Sequence, residues 1–325
     1  MILMAFGNPI LDMSITAEDE EVLKSHGLKV NDQLEIPIER LLAVKKDAEQ
    51  RYAKTVQFNP GGSSLNTCRI LRALGEKNVL YCGSIGKDEN GEKLLQLIGE
   101  SGVNCCIQSL EGSSTAVCLC LIRGQNRCLI ANIGAAFKIE LSWLTEKINP
   151  TEMIYIEGYF IPERLSICQW LVEKAGKLAI NLSAKYIVRS LWKELRFLLN
   201  ACDLIFGNAS EFSTVVEVSG SNTLDSWVDS LAKDGKKDRI IVITNGGSPV
   251  TLMEVIKGVT KRQEIPVARV ENVLDTTGAG DAFVAGFLFA FLHSKSSREC
   301  VEEGIRIAGE TLSQIGCHLP EVKVN

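Results

Sequence analysis

Residues 275–283 of the chain read DTTGAGDAF, and an apolar segment from Val284 to Leu292 follows at once. Glycines separated by one alanine let the backbone turn with unusual dihedral angles, so that the amides of residues 278–280 converge at the start of a helix. Such a helix N-terminus stabilises the negative charge that a phosphoryl group gathers during transfer. Asp281 within it would repel a bound phosphate, but it is well placed to accept the proton of an attacking hydroxyl. The segment therefore predicts phosphoryl transfer with Asp281 as general base, against the simpler alternative of a helix entry that Asp281 caps.

The overall composition is typical of a folded globular enzyme. The chain has 325 residues, of which 46% are hydrophobic and 23% charged, with a formal net charge of -5. Because Lys and Arg are spread along the chain, we expect neither nucleic acid nor a membrane surface as a partner. Eleven cysteines without a CxxC pair favour reduced thiols over a disulfide framework or a metal cluster. The apolar start, Met1–Phe6, lacks the basic flank of a signal peptide, so we expect a cytoplasmic protein, with the nucleus as an additional location.

Short apolar runs alternate with amphipathic segments of helical length. The strand-like runs are Ile2–Phe6, Val79–Cys82, Met153–Ile156, Leu178–Ile180, Leu204–Phe206 and Ile240–Ile243. The helix-like segments are Leu65–Leu74, Leu94–Ile98 with its flanks, Arg164–Ala175 and Leu191–Leu199. This alternation predicts an α/β fold, a doubly wound and mostly parallel sheet with helices on both faces.

Two regions interrupt this alternation. Residues 13–58 are charged and irregular, whereas Ala116–Ile122 and Arg127–Ile133 flank a Gly-Gln-Asn turn, as the strands of an antiparallel hairpin do. We predict that residues 13–58 and 113–133 form a small β-sheet lid. Residues 1–12, 59–112 and 134–325 would then form the large catalytic domain, with the lid over the carboxyl ends of its parallel strands.

Motifs near both ends of the chain resemble those of the ribokinase-like family of ATP-dependent sugar and nucleoside kinases. Asp275–Asp281 matches the family's carboxyl-terminal signature, and residues 61–66, GGSSLN, resemble its amino-terminal Gly-Gly motif. Residues 7–12, 126–132, 181–184 and 206–211 are similar to the branch that phosphorylates adenosine, so the resemblance covers nearly the whole chain. It implies a ribokinase-like fold, ATP and Mg²⁺ as cofactors, and transfer of the γ-phosphoryl group of ATP to the 5′-hydroxyl of adenosine.

The same resemblance implies an acceptor site. Asp12 would accept hydrogen bonds from both ribose hydroxyls, because a short carboxylate at the end of a strand suits a cis-diol. Phe160 is the best candidate for the wall of an adenine slot, with Leu11 or Ile36 as further candidates. Each of these residues could instead be a turn cap or part of the core. The predicted substrate-binding residues are Asn8, Asp12, Gly61, Gly62, Ser63, Asn66, Ile133, Ala135, Phe160 and Thr277.

A donor site is implied after two later strands. Asn208 and Glu211 form the family's Asn-x-x-Glu pattern and would hold Mg²⁺ through water, although they could also be a capping box. The residues expected at the nucleotide phosphates are Asn208, Thr244, Asn245 and Gly246. The predicted catalytic group consists of Asp281, Gly278, Ala279, Gly280 and Arg127, the last of which would neutralise phosphoryl charge or remain solvated on the hairpin.

Thr277 leaves the choice of acceptor open. Members of the adenosine branch usually have Asn at this position, and Thr occurs in many sugar kinases of the family. A kinase for another nucleoside or for a sugar such as ribose therefore remains an alternative, as does a nucleoside-binding regulator without turnover. We expect a monomer that binds small-molecule substrates.

Overall fold

The computed structural model describes residues 1–53, 55–124, 126–149, 152–233, 237–271, 273–314 and 316–317. The strands, numbered β1 to β14 in chain order, are Leu3–Phe6, Ile10–Thr16, Gln33–Glu35, Gln57–Gly61, Val79–Gly86, Asn104–Leu110, Val117–Arg123, Asn126–Asn132, Met153–Glu157, Lys177–Asn181, Leu204–Asn208, Arg239–Asn245, Ser248–Ile256 and Val259–Ile265. The helices, α1 to α12, are Glu21–Ser25, Ile38–Tyr52, Ser63–Ala73, Glu89–Glu100, Leu141–Lys147, Leu165–Lys174, Lys185–Ser190, Trp192–Ala201, Ala209–Ser219, Leu224–Ala232, Ala279–Leu292 and Ser297–Thr311. Two short 3₁₀ helices span Gly134–Phe137 and Gly158–Phe160.

The larger sheet has nine strands in the order β14-β13-β12-β11-β10-β9-β1-β5-β6. From β6 to β12 all neighbours are parallel, and the hairpin β13–β14 adds two antiparallel strands at the edge. Every residue of β9 is buried, as expected for a strand of a parallel sheet that is covered on both faces. The predicted fold class is confirmed, whereas the antiparallel edge was not predicted.

Buried apolar side chains form one core on each face of this sheet. Along β1, Leu3 and Ala5 belong to one core and Phe6 to the other, because successive side chains of a strand point to opposite faces. Helices α3, α4, α11 and α12 contribute to the first core, and α6, α8, α9 and α10 to the second. Within the described ranges, no α-helix combines the length and the apolar character that a bilayer-spanning segment needs.

A second, five-stranded sheet has the order β3-β8-β7-β2-β4. Strands β7 and β8 form the predicted antiparallel hairpin, in which Val117 pairs with Asn132; residue 125 of its turn lies outside the described residues. The interpretation of residues 13–58 as irregular is wrong for α2. This helix buries Leu41, Val44, Ala48 and Tyr52 as a stripe on one face, which the many charged residues between them obscured. The exact domain boundaries stay a prediction.

Two glycines allow α11 and α12 to pack very closely. A Cβ atom on Gly286 would lie 2.7 Å from the carbonyl oxygen of Glu303, and one on Gly304 would lie 2.8 Å from the carbonyl oxygen of Phe283. Backbone therefore packs directly against backbone at this crossing. Because α11 also carries Asp281, the contact with α12 helps to position the predicted base.

We predict that Gly286→Ala lowers the free energy of unfolding by about 1–3 kcal/mol, because the added methyl group overlaps backbone atoms that cannot move aside freely. Gly99→Ala in α4 is a matched control, since nothing lies within 4 Å of its added Cβ. This control should gain about 0.5–1 kcal/mol from helix propensity. Urea unfolding followed by circular dichroism measures both changes, and a Gly286→Ala protein as stable as the Gly99→Ala protein would contradict the packing argument.

Candidate active site

Asp281 lies in the first turn of α11, where residues from the other end of the chain hold its carboxylate. Ser63 Oγ donates a hydrogen bond of 2.6 Å to Asp281 Oδ1, and Asn66 Nδ2 donates one of 2.9 Å to Oδ2. Both donors belong to the first turn of α3, so the two motifs meet although Asn66 and Asp281 are 215 residues apart in sequence.

The environment of Asp281 suits a general base. Burial raises the pKa of this carboxyl to about 6, and the hydrogen bonds from Ser63 and Asn66 oppose a larger rise. The side chain is therefore mostly ionised at neutral pH, and it holds a proton more readily than an exposed aspartate does. A general base has to be unprotonated before the reaction and able to hold the proton that it accepts, and a pKa close to the working pH meets both requirements.

The turn before α11 has the predicted backbone geometry. Gly278 adopts φ +77°, and a Cβ on it would lie 2.5 Å from Cys317 Cβ, so glycine is required there for two reasons. The amide of Ala279 donates to Thr276 O at 3.2 Å, whereas the amide of Gly280 has no acceptor among the described residues. The Gly278 amide likewise has no acceptor in the described part of the chain, so both glycine amides can bind an anion, and a contribution from Ala279 stays a prediction.

Asp12 offers a free carboxylate beside the Gly-Gly turn. It accepts no hydrogen bond from any residue that the structure describes, and burial raises its pKa to about 7 while Arg69 opposes the rise. A Cβ on Gly61 would lie 2.0 Å from Asp12 Oδ2, and one on Gly62 would lie 2.2 Å from the carbonyl oxygen of Asn8. Gly61 thus leaves room for the carboxylate, and Gly62 lets the backbone approach Asn8 closely. The carboxylate can accept hydrogen bonds from two hydroxyls of a ligand.

Both polar atoms of the Asn8 side chain, and its main-chain amide, bind protein groups. Its Nδ2 donates to the carbonyl oxygen of Tyr159 at 2.7 Å, and its Oδ1 accepts from Arg164 Nη1 at 3.0 Å. Its amide donates to Glu157 Oε1 at 2.9 Å. A direct contact of the Asn8 side chain with substrate therefore stays a prediction.

The residues suggested for the adenine slot are mostly covered. Leu11, Ala135 and Phe160 have no exposed surface, Ile36 is buried, and Ile133 is partly exposed. Phe160 packs against Phe6 at a ring distance of 5.8 Å. Contacts between these side chains and a base stay predictions.

Two cavities extend from the base toward the end of β12. The smaller, of about 280 Å³, is lined by Ser63, Asp281, Gly280, Glu211 and further residues. The larger, of about 620 Å³, is lined by three predicted donor-site residues, Asn208, Thr244 and Gly246. Both cavities reach Asn208, Thr244 and Gly280, so a ligand in the larger cavity can extend a group toward Asp281.

The far end of the larger cavity is apolar. It is lined by Val250, Val267, Ile305, Ala308 and Leu312, the last three from α12 and its end. Apolar walls at one end and backbone amides at the other suit a nucleotide, whose base is buried while its phosphates are hydrogen-bonded. Asn245 does not line the cavity wall, although it lies in the same turn as Gly246.

Asn208 and Glu211 form a reciprocal capping box at the start of α9. Glu211 N donates to Asn208 Oδ1, and Asn208 N donates to Glu211 Oε2, both at 2.9 Å. Burial raises the pKa of Glu211, and the hydrogen bonds from Asn208 oppose the rise. The described residues contain no group of three or more potential metal-ligating side chains. Since both residues also line the cavity near Asp281, this donor set fits Mg²⁺ that keeps most of its water ligands.

Arg127 joins the second sheet to the turn before α11. Its Nη2 donates to Asp275 Oδ1 at 2.8 Å, and its Nη1 donates to Thr277 Oγ1 at 2.9 Å. Burial opposes ionisation of Asp275, but hydrogen bonds from Arg127, the Gly316 amide and Thr277 outweigh it and hold the pKa well below its usual range. Arg127 therefore ties the β7–β8 hairpin to the catalytic turn, and its contact with a phosphoryl group stays a prediction.

Sequence reasoning missed several residues at the site. Arg69 lies behind Asn66, to whose Oδ1 it donates at 3.3 Å, and the three-residue spacing on α3 was the signal for it. Tyr159, Asn181 and Ser183 line the smaller cavity. Ser183 has φ +65°, a strained conformation for a residue other than glycine, which the sequence did not reveal.

The chain is similar to characterised kinases over nearly its whole length. The model of the pfkB family carbohydrate kinases matches residues 30–323. Adenosine kinase 1 of Arabidopsis thaliana is 32% identical over 98% of this chain and 96% of that protein. The adenosine kinase of Trypanosoma brucei brucei superposes with a TM-score of 0.83 at 26% identity, over 96% of this chain and 99% of that one.

A third relative was solved with a ligand. The adenosine kinase of Anopheles gambiae, in complex with P1,P4-di(adenosine-5) tetraphosphate, superposes with a TM-score of 0.77 at 27% identity, over 97% of this chain and 96% of that one. The joined motifs around Asp281 and the near-complete family match agree, and the chain belongs to the pfkB family of carbohydrate kinases.

Proposed function

We propose that the protein is an adenosine kinase, which transfers the γ-phosphoryl group of ATP to the 5′-hydroxyl of adenosine and yields AMP and ADP. The observation that carries this proposal is the carboxylate of Asp281, held by Ser63 and Asn66 at the start of α11 and facing a cavity. Relatives over the whole chain are adenosine kinases, which supports adenosine as the acceptor.

The acceptor is held by its ribose. Asp12 accepts hydrogen bonds from the 2′- and 3′-hydroxyls, for which its free carboxylate is suited. Gly61 and Gly62 allow this approach, because a side chain at either position would overlap Asp12 or Asn8. The 5′-hydroxyl then lies toward Asp281 at the start of α11.

The transfer step moves one proton and one phosphoryl group. Asp281 accepts the proton of the 5′-hydroxyl while the hydroxyl oxygen bonds to the γ-phosphorus and ADP leaves. The Gly280 amide and the α11 N-terminus stabilise the charge on the phosphoryl oxygens. Asn208 and Glu211 would hold Mg²⁺ through water, and the ion would supply further neutralisation of phosphate charge. Arg127 keeps the hairpin over the site, which excludes water as a competing acceptor.

We predict that Asp281→Asn lowers kcat by roughly 10²- to 10⁴-fold, because an amide cannot accept the proton. Asn fits the site, since its Nδ2 can donate to Ser63 Oγ while its Oδ1 accepts from Asn66. Adenosine binding measured by calorimetry should stay within about threefold of the wild type, a difference under 1 kcal/mol. The melting temperature should not fall, because the substitution removes a partly buried charge. A variant that keeps near-normal turnover would refute the assigned base.

We predict that kcat/KM for adenosine falls as the pH drops through about 6, because protonated Asp281 cannot act as a base. Because burial raises the pKa of Asp281 to about 6, the base is ionised above that pH and protonated below it. Activity should therefore be present above about pH 6 and lost below it. Asp12 titrates near 7 and loses part of its accepting capacity when protonated, which should steepen the acid limb. Rates measured between pH 5 and 8 test this, with the residual rate of Asp281→Asn as the control. A flat profile over that range would contradict it.

We predict that adenosine has the highest kcat/KM among adenosine, inosine, guanosine and ribose. A coupled assay of ADP release with each acceptor measures this directly. Thr277 and the covered Phe160 favour the second candidate, a kinase for another nucleoside or a sugar, and a clear preference for ribose would establish it. Adenosine binding without ADP release would instead indicate a regulator without turnover.

A further inference from the structure

Arg164 is a buried cation in contact with two predicted acceptor-site residues, Asn8 and Phe160. Its side chain is among the largest that are fully buried, with only 2% of the residue exposed. Nη1 donates to Asn8 Oδ1 at 3.0 Å and to the carbonyl oxygen of Phe160 at 2.7 Å, and Nη2 donates to the carbonyl oxygen of Ala136. The guanidinium also lies over the Phe160 ring, 4.3 Å from its centroid.

The acceptors of these hydrogen bonds come from three separate segments. Asn8 belongs to the turn after β1, Ala136 to the 3₁₀ helix Gly134–Phe137, and Phe160 to the 3₁₀ helix Gly158–Phe160. Each segment contains one of the proposed acceptor-site residues. One guanidinium therefore fixes the relative positions of all three, because its donors have a rigid planar geometry.

A carboxylate approaches the same turn from the other side. Glu157 Oε1 accepts from the amide of Asn8 at 2.9 Å, and its Oε2 accepts from the amide of Ser64 at 2.8 Å. Asn8 is thus held between Glu157 and Arg164. Through Ser64, the carboxylate also reaches the first turn of α3, whose Ser63 and Asn66 bind Asp281.

Burial alone does not distinguish Arg164, since Arg239 is also buried with main-chain acceptors; the difference is that the acceptors of Arg239 lie in one segment and those of Arg164 in three. Arg164 forms no ion pair with any described residue, and burial lowers its pKa to about 10. A desolvated cation without a direct anionic partner generally destabilises a protein relative to an apolar side chain of similar size. Because each of the three segments that it joins contains a predicted acceptor-site residue, we look for its role in the relative positions of these segments.

We propose that Arg164 is a positioning residue of the acceptor site, which sets the distance between the turn at Asn8 and the two 3₁₀ helices. The identity of the acceptor rests on the proposed function. Arg164 touches neither the reacting atoms nor the donor cavity, so it acts on acceptor binding through Asn8, Ala136 and Phe160. Loss of Arg164 should raise the KM for the acceptor selectively.

Arg164→Met tests this, because methionine fills much of the same volume but removes all three hydrogen bonds. We predict a rise in the KM for adenosine of roughly tenfold or more, the equivalent of losing one hydrogen bond to a charged group. The values of kcat and of the KM for ATP should stay within about twofold, which corresponds to less than 0.5 kcal/mol. Arg164→Lys keeps the charge without the planar donors and should give an intermediate KM, and it serves as the test variant if Arg164→Met does not fold.

Arg239→Met is the matched control for a general effect of removing a buried arginine. Arg239 is 4% exposed, and it also donates to main-chain carbonyls, those of Leu199, Asn200 and Cys202. In both arginines the Nε atom is buried without a partner. Arg239 contacts none of the site residues, so its variant should lose stability but keep the wild-type KM for adenosine.

The comparison separates the inference from the proposed function. Wild-type turnover with the four acceptors tests the function alone, and if another acceptor is preferred, the variants are compared with that acceptor. A selective rise in acceptor KM for Arg164→Met and Arg164→Lys, absent from Arg239→Met, supports the positioning role. An unchanged acceptor KM, or an equal rise in both KM values in all three variants, would overturn it.

Discussion

The hydrogen bonds from Ser63 and Asn66 to Asp281 are the interaction on which the site depends. They join the first turn of α3 to the first turn of α11, and so connect the acceptor motif with the catalytic motif. They also determine the chemistry, since burial alone would push the pKa of the carboxyl higher and two donors limit the rise to about 6. The same two bonds therefore position the base and keep it ionised at neutral pH.

Glycines position helices α3 and α11 by letting their backbones, or the backbone just before them, lie in direct contact with neighbouring atoms. Gly61 lies under Asp12 Oδ2, and Gly286 lies against the carbonyl oxygen of Glu303. In neither case is a positive φ the reason for glycine; the reason is the absence of a Cβ. Gly62 and Gly278 meet both requirements, because each has a positive φ and a neighbour within 2.6 Å of the added Cβ. The glycines of both motifs thus serve internal packing as well as ligand approach.

Much of the fold could be predicted from local patterns, because the strands of a parallel sheet are buried on both faces and read as continuous apolar runs. Helix α2 was missed because charged residues surround its narrow apolar stripe. The hairpin β13–β14 was missed because its strands lie at the sheet edge and are half exposed, so they do not form continuous apolar runs. At the site, residues within a motif were predictable. Partners in other segments, such as Asp275 for Arg127 and Asn8 for Arg164, were not, because such pairs leave no spacing signal in one sequence.

Three carboxyl groups near the proposed acceptor site are buried or partly buried without a direct ion pair to any residue in the described ranges. Asp12, Glu157 and Asp281 each have a pKa raised by burial, and Arg69 and Arg164 lie behind Asp12 and Asn8 rather than in direct ion pairs with these carboxylates. A carboxyl whose pKa is higher in the folded than in the unfolded protein favours folding when protonated, and this contribution is lost as the pH rises through the folded pKa. At neutral pH Asp281 is mostly ionised and Asp12 and Glu157 are partly ionised, so each has lost some or most of this contribution. A ligand whose hydroxyls donate hydrogen bonds to Asp12 and Asp281 stabilises the ionised carboxylates. The desolvation cost that these carboxylates carry in the free protein is thereby offset when an alcohol binds.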